Sequence, residues 1–312
     1  MNILIYGAAG FIGTNLALTL AQDENNYLTL VVRDKAKLLI PELLNFKNVS
    51  IKETAFELDT NFDDLFKKQD VIYHLISTTV PTTSNHHIPK ELVANVIVTA
   101  KMLDACVRCN VGKVVFISSG GTVYGKEVNC PLKEDYPTNP ISSYGIQKIS
   151  IEKLLYLYKY MYGLDYRVIR LANPYGPYQR PNGILGAVTT FTYKALRNEK
   201  IIVYGDGSVI RDFIYIDDAV RAIQTIVDGE TKHRTFNLGC GYGTSIKDVL
   251  GSISKALDID LKVQHLPGRK VDVPVNYLDI SRYEREYGKL NPISLEEGIK
   301  KTAEFMINQQ MI

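Results

Sequence analysis

Residues 3 to 20, ILIYGAAGFIGTNLALTL, join an apolar strand to a helix through closely spaced glycines. These glycines are Gly7, Gly10 and Gly13. Glycine at these positions permits a tight turn and lets the backbone approach a ligand closely. Phe11, Ile12 and the helix N-terminus that follows them would then direct free N–H groups and the positive end of the helix dipole at a pyrophosphate. Because a strand precedes the glycines and a helix and a second strand follow them, the pattern predicts a turn that binds NAD or NADP.

The end of the second predicted strand bears on which dinucleotide is bound. It reads LVVRDKAK, residues 30 to 37. An acidic residue at this point binds the free 2′-hydroxyl of the adenine ribose in NAD, whereas a basic residue accommodates the 2′-phosphate of NADP. Arg33 takes the terminal position and Asp34 follows it. This order favours NADP and leaves NAD open.

Short apolar strands alternate with helical segments through the first half of the chain. The predicted strands cover 3–6, 28–32, 71–74, 114–118 and 167–171. The helix-period stretches cover 13–22, 90–110 and 143–162. Such alternation predicts an α/β fold, a doubly wound parallel (Rossmann) sheet with helices on both faces. Beyond about residue 174 the chain turns to loops rich in proline and glycine. We therefore predict an NAD(P)-binding domain over 1–174 and a smaller substrate-binding lobe, mainly 175–312, from which a strand or helix could return to the first domain.

Composition limits the classes of partner. The 312 residues carry 36 Lys and Arg against 34 Asp and Glu, a net charge of +2 with no basic block, so neither nucleic acid nor a membrane surface is an expected partner. The start of the chain resembles no signal peptide, and no apolar run approaches the roughly 20 residues that span a bilayer, so we expect a cytoplasmic protein. The pair Cys106 and Cys109 has no second pair to complete a metal site, the histidines do not cluster, and no metal is predicted.

A tyrosine and a lysine stand four residues apart in SSYGIQKIS, residues 142 to 150. Tyr144 and Lys148 would share one face of a helix. An ammonium beside a phenol favours the phenolate and should lower the pKa of the tyrosine toward the range of a general base. Such a base could remove a proton from a substrate hydroxyl while a nicotinamide accepts hydride from the same carbon.

These motifs occur together with others in a familiar order. They include VVFISSGGTVYG, IRLANPYGP, YGDGSVIRDFIYIDDAV and LPGRKVDVPVNYLDISR. Nearly the whole chain resembles the extended short-chain dehydrogenase/reductase family, an NAD-dependent epimerase/dehydratase group, and within it the nucleotide-sugar epimerases of the UDP-glucose 4-epimerase type. The resemblance implies a Rossmann domain, a bound NAD or NADP, and a nucleotide-sugar substrate.

The resemblance also assigns roles to individual residues. Tyr144 would be the acid/base, Lys148 its electrostatic partner and a ligand of the cofactor ribose, and Asn95 a support of the cofactor. Asn173 would contact the diphosphate-sugar, and Tyr204 would flank the base. The remaining substrate-binding assignments are Arg211 and Arg269 for the diphosphate, Asp272 for the nucleotide ribose and Asn276 beside the sugar's 2-substituent.

One position departs from the family pattern. Gly120 stands where the resemblance implies a Ser or Thr that binds the reacting sugar oxygen. Ser119 should point the other way by strand alternation, so Thr122 or a water would replace the missing hydroxyl. Losing such a hydrogen bond without replacement would cost about 1 to 3 kcal/mol of transition-state stabilisation. The same stretch, GGTVYG, lacks the acidic pair of the family's dehydratases and the glutamate of its decarboxylases, so neither activity is expected.

The predicted reaction is reversible C4 epimerisation of a nucleotide-hexose, a UDP-hexose or a UDP-N-acetylhexosamine, through a transient 4-keto sugar and with tightly bound cofactor. An NADPH-dependent nucleotide-4-keto-sugar reductase is the first alternative, and a non-catalytic NAD(P)-binding sensor is the second. The helices over 90–109 and 143–162 carry apolar residues around most of their circumference, which predicts a homodimer formed through them. Supply of precursors for polysaccharides is the process that the family suggests.

Overall fold

The computed structural model describes residues 1–38, 40–81, 84–126, 129–181, 186–268 and 273–312. The chain divides into two compact units. The first unit contains residues 1–123, 138–170 and 227–236. The second contains residues 124–137, 171–226 and 237–312. Within the described part of the chain, none of the helices combines the length and the apolar content needed to cross a bilayer.

A seven-stranded sheet with strand order β3-β2-β1-β4-β5-β6-β11 forms the centre of the fold. The strands are β1 (Asn2–Tyr6), β2 (Tyr27–Val32), β3 (Val49–Glu53), β4 (Val71–His74), β5 (Lys113–Ser119), β6 (Asp165–Leu171) and β11 (Thr235–Leu238). The pairs β1 with β2, β2 with β3, β1 with β4, and β4 with β5 are all parallel. The strand order reverses between β1 and β4, and in such sheets a dinucleotide binds at the carboxyl ends of the strands at this point. The predicted Rossmann fold is confirmed, and β3 and β11 are additional to the five predicted strands.

The helices of the first unit cover the three stretches predicted as helical and one further short segment, 62–66, that was not predicted. They are α1 (Phe11–Ala21), α2 (Phe62–Phe66), α3 (Ile88–Leu92), α4 (Val98–Arg108) and α5 (Ser143–Tyr162). A π-helical turn, Val93–Ile97, joins α3 to α4, so the stretch predicted as one helix over 90–110 is interrupted and ends at Arg108. Ser142 caps α5 by accepting a hydrogen bond from the N–H of Gly145, and Gly163 ends it with φ of 76°.

The core of the first unit lies between the sheet and its helices. Buried side chains of β1, β4 and β5 pack against α2, α4 and α5 in one apolar cluster. Tyr6 contributes edge-to-face contacts with Phe56, Phe62 and Phe66. Cys106 is buried in this cluster and Cys109 is half-buried, with neither in a disulfide. This core fixes the carboxyl ends of β1 and β5, which are followed by the glycine turn and by the loop that contains Thr122.

The second unit is built from short strands and helices. Its short strands are β7 (Asn173–Tyr175), β8 (Ile201–Tyr204), β9 (Ile210–Arg211), β10 (Phe213–Tyr215), β12 (Thr244–Ser245), β13 (Val263–Leu266) and β14 (Val275–Asn276). Its helices are α6 (Ala187–Leu196), α7 (Ile216–Asp228), α8 (Ile246–Leu257), α9 (Ser281–Tyr287) and α10 (Leu295–Asn308), the last residues of α7 lying in the first unit. β7 pairs with β10, β8 with β13, and β9 with both β12 and β14. Three helices, α6, α8 and α10, pack against one another.

Candidate active site

The glycines after β1 form a turn that leaves no space for side chains. Gly7 has φ of 85°, a conformation that favours glycine. The N–H of Gly10 donates to the carbonyl oxygen of Gly7 at 2.9 Å, which closes the turn. A Cβ on Gly13 would lie 2.3 Å from the same oxygen. The turn therefore requires glycine at its first and last positions for two different physical reasons, strained backbone and close packing.

The first turn of α1 has the donors that a phosphate requires. Gly10 occupies the N-cap position and has no side chain to bind the N–H groups of Phe11, Ile12 and Gly13, and the turn contains no acidic residue. Unsatisfied N–H groups and the helix dipole together favour an anion at this place. The five residues predicted to bind the pyrophosphate thus lie in one turn whose shape and donor set fit a dinucleotide.

Arg33 and Asp34 lie directly beyond the end of β2, as the sequence predicts. The strand ends at Val32, and Arg33 is the first residue beyond it, with an exposed side chain. Asp34 accepts a hydrogen bond from the N–H of Ala36 at 3.0 Å and so begins the 3₁₀ turn Lys35–Lys37. Its carboxylate therefore has a structural role in this loop, while Arg33 is exposed.

Tyr144 and Lys148 lie together at the start of α5. The Lys148 ammonium donates to the carbonyl oxygen of Ile117 at 2.8 Å. It also lies 4.7 Å from the ring centre of Phe116 and 5.4 Å from that of Tyr144. The two side chains line a small pocket together with Asn95. Three residues predicted from separate motifs are therefore brought to one place.

Burial alters the acid–base properties of both side chains. It raises the pKa of Tyr144 to about 12. It lowers the pKa of Lys148 to about 8, an effect that the Glu152 carboxylate opposes. The pKa of this phenol is therefore raised, whereas the sequence predicts that it is lowered, and the cause of the difference is desolvation of the phenolate by burial.

A buried hydrogen-bond network connects Asn95 to α5 through residues that the sequence analysis missed. The Asn95 amide lies in the π-helical turn and donates to Gln147 Oε1 at 2.7 Å. Gln147 in turn donates to Glu91 Oε2 at 3.0 Å. Asn95 Oδ1 accepts from the N–H of Thr78 at 3.0 Å, which holds the loop after β4. Asn95 thus positions this loop next to Lys148, and π-turns of this kind are frequent at functional sites.

The beginning of α5 is fixed from two sides. The N–H of Ser143 donates to Asn85 Oδ1 at 2.9 Å, and the N–H of Tyr144 donates to Ser84 Oγ at 3.0 Å. On the other side, a Cβ on Gly145 would lie 2.8 Å from the carbonyl oxygen of Thr122. The glycine after Tyr144 therefore allows the loop that follows β5 to approach the helix, a constraint that the motif alone does not reveal.

Thr122 presents a hydroxyl with unused hydrogen-bonding capacity. Its Oγ1 is buried, and no group in the described part of the chain forms a hydrogen bond with it. Its N–H donates to the carbonyl oxygen of Ser119 at 3.4 Å, in the turn that contains Gly120. A buried polar atom without a partner is costly and is common where a ligand binds. This observation agrees with the expectation that Thr122 stands in for the hydroxyl missing at position 120.

In the second unit, two residues that are predicted to bind substrate are neighbours, although they lie 65 positions apart in the sequence. Arg211 on β9 pairs in register with Asn276 on β14. Arg211 Nη1 donates to the carbonyl oxygens of Ile210 at 2.8 Å and Val273 at 2.7 Å, which orients the guanidinium. Asn276 is buried, with 3% of its surface exposed. The small sheet thus holds a cation and an amide side by side.

Two other predicted residues of this unit, Asn173 and Tyr204, are described by the structure. Asn173 uses its amide to donate to the carbonyl oxygen of Asp212 at 2.8 Å. Tyr204 ends β8 and is 44% exposed. Arg269 and Asp272 lie outside the described residues.

Asp212 is a buried group that the sequence analysis did not single out. Its carboxylate accepts from the N–H groups of Cys240 at 2.7 Å, Gly241 at 3.3 Å and Leu278 at 3.3 Å. Burial nevertheless raises its pKa to about 6. The carboxylate joins the segments next to Arg211. Its place directly after that arginine in IRDF could have identified it from the sequence as a residue near the predicted substrate-binding arginine.

Comparisons with known proteins agree with this geometry. The family described as NAD dependent epimerase/dehydratase matches residues 3–239. A UDP-glucose 4-epimerase of Mycolicibacterium smegmatis is 33% identical over 311 residues, with 99% of each chain covered. The structure of the UDP-glucose 4-epimerase of Thermotoga maritima with UDP-glucose has a TM-score of 0.90 and 32% identity, covering 99% of this chain and 100% of that one. The UDP-N-acetylglucosamine 4-epimerase of Methanobrevibacter ruminantium, in complex with UDP-N-acetylmuramic acid, has a TM-score of 0.90 and 30% identity, covering 99% of this chain and 98% of that one.

The family match spans the glycine turn, the strand end before Thr122, and the Tyr144–Lys148 pair. The matched relatives cover nearly the whole of this chain and are themselves covered almost end to end. Sequence motifs, strand order and site geometry therefore agree: the chain belongs to the NAD dependent epimerase/dehydratase family.

Proposed function

We propose that this protein is an NAD-dependent 4-epimerase of a UDP-hexose or UDP-N-acetylhexosamine. The observation that carries the proposal is the pocket where Tyr144, Lys148 and Asn95 meet, in the same unit as a glycine turn that fits a dinucleotide. The Thermotoga relative binds UDP-glucose and the Methanobrevibacter relative is a UDP-N-acetylglucosamine 4-epimerase, which supports both sugars as substrates.

The first unit would hold the cofactor. Gly7, Gly10 and the N–H groups at the start of α1 would bind its pyrophosphate, and Lys148 would bind its ribose. NAD, when bound there, supplies the hydride acceptor and donor and, in its oxidised form, a positive charge that favours the Tyr144 phenolate. We propose NAD because the family is described as NAD dependent, although the exposed Arg33 beyond β2 would also suit NADP.

Proton transfer would be the task of Tyr144. Its phenolate oxygen takes the proton of the sugar C4 hydroxyl as C4 is oxidised to a ketone. The same oxygen returns the proton when C4 is reduced on its opposite face, so the two half-reactions balance. The Lys148 ammonium stabilises the phenolate that is present before the first of these steps and after the second, and the hydroxyl of Thr122, which has no partner among the described residues, is suited to bind the reacting oxygen.

The second unit would bind the nucleotide-sugar. Arg211 and Arg269 carry the forked cations that suit a diphosphate, and Asp272 would bind the nucleotide ribose. Asn173 would contact the diphosphate-sugar, Tyr204 would flank the nucleotide base, and Asn276, next to Arg211, would border the 2-substituent. A substrate held mainly by its diphosphate leaves the sugar able to turn over between the two half-reactions.

We further propose a homodimer formed through the helices of 90–109 and 143–162. On α5, the side chains of Tyr156, Leu157, Tyr160 and Met161 are 63%, 47%, 78% and 57% exposed. Ile97 on the π-helical turn is 50% exposed. Several large apolar residues exposed on the same helices are typical of a protein interface. A sedimentation mass of twice one chain would support the dimer, and a stable monomer would contradict it.

The reaction is tested by incubating the purified protein, without added cofactor, with UDP-glucose or UDP-N-acetylglucosamine. Proton NMR of the anomeric region then follows the sugar. A new galacto-configured signal is the expected result and identifies the accepted sugar. Unchanged spectra from folded protein in both samples would contradict the proposal. A nucleotide-4-keto-sugar reductase, which the position of Arg33 favours, would instead require added NADPH and a 4-keto sugar.

A further inference from the structure

A buried ion pair lies one helical turn beyond Lys148 on α5. Glu152 follows Lys148 by four residues, as Lys148 follows Tyr144, so the three side chains share one face of the helix. Arg170 on β6 donates to Glu152 through Nε at 3.2 Å and through Nη2 at 2.7 Å. Both side chains are almost wholly buried, at 6% exposure for Glu152 and 8% for Arg170.

The same carboxylate is tied to the strand that carries the Lys148 contact. Ser118 Oγ donates to Glu152 Oε1 at 2.5 Å. The preceding residue of β5, Ile117, accepts the hydrogen bond from Lys148. Two successive residues of β5 therefore bind two successive turns of α5. These two contacts fix the position of the helix along its axis and its rotation about that axis at Lys148.

Few other charges face the Lys148 ammonium. His74 on β4 interacts with it, but burial lowers the pKa of this histidine to about 3, so the ring is neutral at ordinary pH. Tyr144 is a neutral phenol below its raised pKa. Glu91 on α3 is hydrogen-bonded to Gln147 and Ser143. Glu152 is the carboxylate whose charge acts on Lys148, and it opposes the lowering of the Lys148 pKa by burial.

We propose that Glu152 is a positioning residue for the Tyr144–Lys148 pair: its carboxylate, held by Arg170 and Ser118, keeps the Lys148 ammonium charged and in place. Arg170 and Ser118 prevent the carboxylate from turning directly onto Lys148, which leaves the ammonium available for other partners. The kinetic part of this inference rests on the proposed function, whereas the charge state of Lys148 does not.

The direct test follows the titration of Lys148 itself. Protein labelled with ¹³C at lysine Cε gives one signal per lysine, and the Lys148 signal is assigned by its loss in Lys148→Arg. Glu152→Gln removes the negative charge that opposes the lowering of the Lys148 pKa by burial, so the pKa of Lys148 should fall by about one pH unit or more. An unchanged pKa in Glu152→Gln would overturn the proposal.

Glu152→Gln removes a charge partner of the buried Arg170 and could fail to fold, so a second variant is included. Glu152→Gln/Arg170→Met removes both charges, and its Lys148 should titrate below wild type and above the single variant. A wild-type pKa in this double variant would contradict the inference. Glu134→Gln is the matched control, because Glu134 also has a buried carboxylate, which accepts a hydrogen bond from the N–H of Asn237, but it belongs to the second unit.

Kinetics provide a second readout. If the protein is an epimerase, the alkaline limb of its pH–kcat profile should move toward acid in Glu152→Gln by the same amount as the NMR titration. A purely structural role would lower stability and leave the limb where it is. If no epimerase activity is found, the proposed function fails while the NMR titration still decides the role of Glu152.

Discussion

Replacing Gly13 with alanine tests the glycine turn most sharply. A Cβ at this position would lie 2.3 Å from the Gly7 carbonyl oxygen and 2.9 Å from the Ala8 Cα. Ordinary contacts begin near 3.4 Å, so the first turn of α1 and the glycine turn must separate by about 1 Å. Both atoms belong to the backbone and cannot rotate away. Overpacking of this kind costs about 1 to 3 kcal/mol of unfolding free energy.

In Gly13→Ala, the affinity for the cofactor should fall by more than the unfolding free energy. A displacement of about 1 Å weakens the hydrogen bonds from the α1 N–H groups to a phosphate, each worth about 1.5 to 3 kcal/mol because the acceptor is charged. Loss of one such bond weakens NAD binding about tenfold or more. We expect Gly13→Ala to purify with less bound NAD and to bind added NAD at least tenfold more weakly in calorimetry.

Gly251→Ala is the matched control. Gly251 lies on the exposed face of α8, where an added methyl group would meet no atom of the described residues within 4 Å. Alanine there should raise the unfolding free energy by about 1 kcal/mol, because glycine is a poor helix former. NAD binding should not change. If Gly13→Ala binds NAD with wild-type affinity, the assignment of this turn to the pyrophosphate is refuted.

Two further substitutions probe the two units separately. Thr122→Val should lower kcat about 10-fold to 100-fold, because it removes a hydrogen bond to the substrate worth about 1 to 3 kcal/mol. Urea unfolding should change little, because the Thr122 hydroxyl has no partner among the described residues. An unchanged kcat would exclude this hydroxyl from the reaction. Burial raises the folded-state pKa of Asp212 to about 6 from an ordinary value of 3.8, so the unfolding free energy should fall as pH rises from about 4 to 6, by about 3 kcal/mol from this group. Asp212→Asn should be less stable than wild type, and its unfolding free energy should not fall between about pH 4 and 6. Denaturation measured across these pH values tests this prediction. An equal dependence on pH in both proteins would contradict the raised pKa of Asp212.

Local patterns were sufficient for the parts of the fold that are local. The helix over 143–162 was predicted with its observed bounds because a capping serine, apolar periodicity and a terminal glycine all lie within or beside it. The strand β3 was missed because it pairs at the edge of the sheet and only alternate residues are partly buried. The strand β11 was missed because its place beside β6 depends on a contact between distant segments.

In the candidate site too, features within one element could be predicted from the sequence, whereas features that join distant segments could not. The glycines and the Tyr144–Lys148 pair follow from spacing within one element. The pairing of Arg211 with Asn276 had no signal in either segment alone, because it is a register between separate strands. The raised pKa of Tyr144 also needed the structure, because burial cannot be read from the four-residue spacing. Glu152 could have been found, since it repeats that spacing once more along α5.

The most direct test of the account compares Tyr144→Phe with wild type in the NMR epimerisation assay without added cofactor. Tyr27→Phe, which alters a tyrosine that is 62% exposed, serves as the control. The account predicts that wild type and Tyr27→Phe convert the UDP-sugar to its C4 epimer, while Tyr144→Phe retains bound NAD and shows no conversion. Epimerisation by Tyr144→Phe at a rate near that of wild type would contradict the assignment of the proton to this phenol.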